Sequence, residues 1–125
     1  MKRDIEDRKD IELMINTFYE KVIADPFIGP FFTETVKINW DRHLPIMYDF
    51  WDNAIFFSGT YTGRPLEAHK HLNSLAPLRK EHFEQWNKLF SETVNGLFTG
   101  EKATLAISRA YNISAVMQSD ILNKI

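Results

Sequence analysis

The sequence predicts an all-α fold on three observations. Apolar residues recur at three- and four-residue steps through four long stretches, no stretch alternates like a half-buried strand, and proline or glycine stands between the stretches. With 125 residues, 44% of them hydrophobic, and neither an internal repeat nor a low-complexity linker, residues 1–125 are expected to form a single domain around one core.

The first helix is expected from Asp4 to Ala24, where Ile11, Ile15, Phe18 and Val22 share a face with Met14 and Tyr19 beside them. Asp25-Pro26 stops it. The stretch from Pro26 to Phe32 contains two prolines, a glycine and three phenylalanines, a composition that breaks a helix yet calls for burial, so it reads as an apolar, irregular corner. Asn39 can cap a second helix with Trp40, His43, Leu44, Met47, Phe50, Trp51 and Ala54 on one broad face. Pro45 lacks an N–H and crowds the carbonyl four residues back, which predicts a bend or an irregular first turn from Arg42 to Pro45. The polar run from Ser58 to Gly63 reads as a loop, and Pro65 suits the first position of a short helix bearing Leu66, His69 and Leu72. Pro77 closes the next connection. Phe83, Trp86, Phe90, Val94 and Leu97 trace a further long stripe ending near Gly100, and a last helix carries Ala103, Ala106, Ile107, Ala110, Ile113, Met117 and Ile121.

Composition removes several functions. The net charge of −2, without a Lys/Arg cluster, offers no basic footprint for nucleic acid. The lack of cysteine excludes disulfides, thiolate zinc sites and iron–sulfur clusters, leaving His, Asp, Glu, Met or Tyr to hold any metal. No stretch approaches the ~18 apolar residues that span a bilayer, and Met1 to Asp10 are charged, so a cytoplasmic protein without a membrane partner is expected. No metalloprotease helix, nucleophile elbow, Walker loop or dinucleotide fingerprint occurs.

Among the four histidines, His69 and His71 form an H-x-H pair, whose members point apart on a helix. His69 lines up with Leu66 and Leu72, whereas His71 shares a face with Glu67 and Ser74, so His69 is the better candidate for an apolar site. On periodicity alone, a buried imidazole bonded to a carbonyl is the commoner role for a histidine placed like His69. His43 and Met47 share a face that is ordinarily plain core, Tyr19 is ordinarily a packing residue, and His82 reads as solvated between charges.

The order of these pieces resembles a known family. Phe18-Tyr19-Glu20-Lys21, the corner Gly29-Pro30-Phe31-Phe32, the run Trp40 to His43 followed by Phe50-Trp51, the loop Gly59 to Leu66, His69, and His82-Phe83-Glu84-Gln85-Trp86 resemble the group III truncated haemoglobins of bacteria over about residues 11–120. The resemblance implies a truncated globin fold, a two-over-two helical sandwich around noncovalent haem b. It implies His69 as the proximal iron ligand, with His71 taking its place if the register slips by two. Tyr19, His43 and Trp86 match distal pocket residues, with His43 acting as gate, hydrogen-bond donor or sixth ligand. Phe31 or Phe32 would wedge against the porphyrin, and Met47, Trp51, Leu66 and Leu72 would complete the cofactor-facing set.

A porphyrin would account for ten Phe and three Trp in so short a chain, because it offers a large flat apolar surface to cover. The implied ligands are O₂, NO, CO or peroxide, with electrons from an unidentified reductase. Several polar donors in the pocket suit oxygen, peroxide or nitric oxide redox chemistry, as a peroxidase-like or nitric oxide dioxygenase activity, better than oxygen transport or storage. A simple carrier or gas sensor and a haem-free helical interaction module are the competing expectations.

Overall fold

The computed structural model describes residues 2–30, 40–57 and 79–122. Four long helices run through them, α1 (Arg8–Ala24), α2 (Trp40–Phe56), α3 (Lys80–Leu97) and α4 (Glu101–Leu122), and no strand occurs among the described residues. The main contacts run α1 on α2, α2 on α4, α4 on α3 and α3 on α1, a closed circuit of two helix pairs. No helix among the described residues is long and apolar enough to cross a membrane.

The α1 stripe buries Ile11, Met14, Ile15, Phe18 and Val22, each at 1% exposure or less. Its start differs from expectation. Asp7 caps the helix by accepting from the Asp10 N–H at 3.1 Å, while Asp4 lies outside it and caps α4, accepting from the Lys102 and Ala103 N–H groups at 2.9 Å each. An acidic side chain at a helix N-terminus also complements the exposed N–H dipoles. The N-terminal tail is held further by Thr99 N–H donating to the Arg3 carbonyl and by Arg3 donating to both oxygens of Asp10 at 2.7 Å. Gly100 sits beneath Asp4 at φ +139, where a Cβ would lie 2.5 Å from the Asp4 carboxyl carbon, so both conformation and space require glycine.

The corner after α1 is only partly as expected. Ile28 is buried, but Phe27 is 47% exposed. Asp25 turns the chain by accepting from the Phe27 and Ile28 N–H groups, and Gly29 then passes so close to the end of α1 that a Cβ would stand 2.7 Å from the Ile23 carbonyl oxygen. Phe27 thus packs its ring outward, stacked on His82 at 4.5 Å. His82 in turn accepts the Arg79 N–H on Nδ1 at 2.8 Å, closing the first turn of α3. It is half-buried rather than solvated, and burial, with Arg79 nearby, lowers its pKa.

The first turn of α2 is regular rather than irregular, since the helix runs from Trp40 through Pro45 without interruption. Pro45 is exposed, and the carbonyl it leaves unpaired belongs to Asp41, itself exposed near the helix start. Arg8 pins α2 to α1 by donating to Asp49 at 2.8 Å and Asp52 at 3.0 Å, and Tyr48 donates to Asn16 beside it.

Three carboxylates make this framework acid-sensitive. The Arg3 guanidinium holds the Asp10 carboxyl below its ordinary range. Burial alone would raise Asp4 and Asp25, but backbone N–H bonds outweigh it at both, aided by Gln85 at Asp25, and both end lowered. A carboxyl depressed in the fold lends stability that is present above its unfolded value, about 4, and is lost as pH falls through the folded value. The urea midpoint is therefore expected to drop below about pH 4, and less steeply in Asp4→Ala than in the parent chain.

Candidate functional site

Adjacent positions on α1 have different tasks. Phe18 enters the core at 1% exposure, while Tyr19, one step around the helix, turns its ring toward α2 at 8% exposure. The Tyr19 hydroxyl reaches a residue 24 positions later, with Oη 3.1 Å from His43 Nε2. Burial raises the Tyr19 pKa above its ordinary value, so the phenol keeps its proton. Trp40, one turn before His43 on α2, closes a three-ring group, with its ring centroid 5.2 Å from Tyr19 and 5.7 Å from His43 in edge-on arrangements.

Trp86 comes from α3 and meets Phe18 edge-on at 5.4 Å. It also begins a nearly parallel stack, Trp86 on Phe90 at 5.7 Å and Phe90 on Trp51 at 4.7 Å. The expected residues Tyr19, His43, Met47, Trp51 and Trp86 all fall within the described part. Tyr19 and His43 are in direct contact, Trp86 is linked to Tyr19 through Phe18, Trp51 packs into the core at 4% exposure, and half-buried Met47 lies one turn beyond His43. Trp40 and Phe18 were not expected as site residues; three- and four-residue spacing shows a shared face but not which ring on another helix will be met. His69, its alternative His71, Phe31, Phe32, Leu66 and Leu72 lie outside the described residues.

The face of α2 tests whether a flat apolar group fits. Trp51 and Ile55 are its buried residues, while Trp40, Leu44, Met47, Phe50 and Ala54 are half-buried along the margin of the core. An apolar surface so incompletely covered, with a part-buried hydroxyl–imidazole pair at one end, suits an apolar disc whose reactive centre is polar.

No family model matches the chain. A solved structure, the crystal structure of group III truncated hemoglobin from Campylobacter jejuni, superposes with a TM-score of 0.82 at 31% identity, covering 97% of this chain and 95% of that one. The helices and their packing therefore define a truncated globin fold. The Group 3 truncated hemoglobin ctb of Campylobacter jejuni is 33% identical over 122 residues, which are 95% of this chain and 94% of the relative. The chain belongs to the group III truncated haemoglobins, and it is a globin-type haem-binding protein.

Proposed function

We propose that the chain binds haem b noncovalently through His69 and receives O₂, NO, CO or peroxide in a pocket formed by Tyr19, His43 and Trp86. Its work is redox chemistry on oxygen, peroxide or nitric oxide, with electrons from a reductase, rather than O₂ storage. The observation that carries this reading is the contact of buried Tyr19 with half-buried His43, 3.1 Å apart, beside the incompletely covered face of α2. Haem supplies a redox-active iron able to take a diatomic ligand.

The residues of the chain determine how that ligand is treated. When His43 carries its proton on Nε2 it donates to Tyr19 Oη, which frees the phenol proton to point at the ligand. When Nε2 is bare the phenol donates to His43 instead, and the ligand loses that bond. The two tautomers thus give a retaining and a releasing pocket. The Trp86 indole N–H is a second donor of fixed polarity. Met47 and Leu44 supply apolar walls that keep water from competing with these bonds. His69 and the porphyrin-facing Phe31, Phe32, Leu66 and Leu72 supply the opposite side in this reading.

Haem titration against tryptophan fluorescence checks the proposal, since Trp40 and Trp86 lie beside the suggested pocket. One equivalent of haem is expected to quench the emission with a sharp end point. A chain whose emission ignores haem would contradict it.

A further inference from the structure

The rings around Tyr19 extend beyond what ligand retention requires. Trp86, Phe18, Tyr19 and Trp40 follow one another at centroid distances of 5.4, 5.1 and 5.2 Å, linking α3 to the start of α2 through α1. The two inner rings are buried, whereas Trp40 is half-buried and followed by exposed Asp41 and Arg42. The other branch runs through Phe90 to Trp51, itself only 4% exposed, and on to half-buried Phe50 at 5.3 Å. One branch therefore reaches the margin of the core in a tyrosine–tryptophan pair and the other in a phenylalanine, whose ring is far harder to oxidise.

We propose that Tyr19 and Trp40 form an electron relay through which small phenolic one-electron donors, meeting the protein at Trp40, deliver electrons to the haem pocket for the reduction of peroxide. The proposal rests on the haem-binding reading above and adds the donor class and its point of contact.

The chemistry of Tyr19 favours this role over that of a fixed donor alone. A phenol loses an electron readily only if its proton leaves too, and burial resists formation of the charged phenolate. His43 Nε2, 3.1 Å away and bare in one tautomer, can take that proton over a single hydrogen bond and return it. Oxidation of Tyr19 thus moves an electron toward the pocket and a proton to His43, leaving a neutral tyrosyl radical beside an imidazolium. An electron arriving from Trp40 then regenerates Tyr19 as the proton comes back. Trp40 touches both partners, at 5.2 Å from the Tyr19 ring and 5.7 Å from that of His43. An indole in this position has the polarisable ring and the partial exposure that a one-electron exchange with an outside phenol needs. Over a full cycle two phenols each give one electron and one proton, hydrogen peroxide takes both pairs and leaves as two waters, and two phenoxyl radicals are released.

Holoprotein treated with hydrogen peroxide and guaiacol tests the relay, with the site of the radical read by freeze-quench electron paramagnetic resonance and by peptide mass spectrometry of oxidised residues. In the parent chain, oxidation without guaiacol is expected at Tyr19 and Trp40. Trp40→Phe should lower guaiacol turnover at least tenfold, move oxidation away from position 40 and leave haem uptake intact, while Trp40→Tyr should restore most of the rate. Tyr111→Phe, at a side chain 59% exposed on α4, should turn over guaiacol as the parent does. Guaiacol oxidation by Trp40→Phe at the parent rate, or radical density centred on Trp51, would overturn the relay while leaving haem binding in place. A chain that takes up no haem would overturn both.

Discussion

Replacing Tyr19 by Phe is expected to speed O₂ release from the haem-loaded protein roughly ten- to hundredfold. A hydrogen bond to a ligand that draws negative charge is worth about 1.5–3 kcal/mol, and each 1.4 kcal/mol is about a factor of ten. Tyr19 is suited to this because its ring is held on two sides, by Phe18 at 5.1 Å and Trp40 at 5.2 Å, and its hydroxyl at 3.1 Å from His43 Nε2. Little conformational freedom is therefore lost when it meets a ligand. Trp86→Phe should act in the same direction, and the double replacement should exceed either alone by less than their product, because Tyr19 and Trp86 are coupled through Phe18. Stopped-flow release measured on the three variants gives the answer, and rates equal to the parent's would remove the hydrogen-bond account.

The largest effect on stability is expected at Phe90. Its side chain is 0% exposed, stacked between Trp51 and Trp86 and edge-on to Phe18 at 5.1 Å, so it joins α1, α2 and α3 at one point. Truncation to Ala removes the filler of a sandwich whose two outer rings are fixed by their own helices, and neither can slide in to close the gap. A loss of about 3–5 kcal/mol is expected. That is a large share of the 5–15 kcal/mol or so that holds a domain of this size, and it should lower Tm by roughly 10–20 °C. Leu13→Ala, at a site 48% exposed, serves as the comparison and should change stability by no more than about 0.5 kcal/mol. Similar thermal midpoints for the two variants would show that the three-ring stack is not the centre of the fold.

What the sequence made legible follows the range of each interaction. The α1 stripe from Ile11 to Val22 and the α3 stripe from Phe83 to Val94 are burial patterns written at fixed spacing, and both faces are where periodicity placed them. Asp4 was misplaced for the opposite reason. Its partners, Lys102 and Ala103, lie 98 and 99 positions away, and no local pattern distinguishes an acid that begins its own helix from one that caps another. Phe27 and His82 were misjudged in the same way, each having been read against its neighbours in the chain rather than against the other.

The site shows the same division. Tyr19, His43 and Trp86 could be named singly because they match positions in a family pattern, and their contacts run between helices that meet only in the fold. Trp40 was visible as part of an apolar face and invisible as the ring that closes on Tyr19. The pairing of Arg8 with Asp49 and Asp52, which fixes the position of α2 against α1 and hence of His43 against Tyr19, was equally absent from any local signal.

The central claim, that His69 grips the haem iron, is tested most directly by electronic absorption and resonance Raman spectra of the haem-loaded chain, compared with His69→Ala and His71→Ala. The account predicts an iron–imidazole signature in the parent and in His71→Ala, lost in His69→Ala and recovered there on adding free imidazole. An unchanged axial signature in His69→Ala would contradict it.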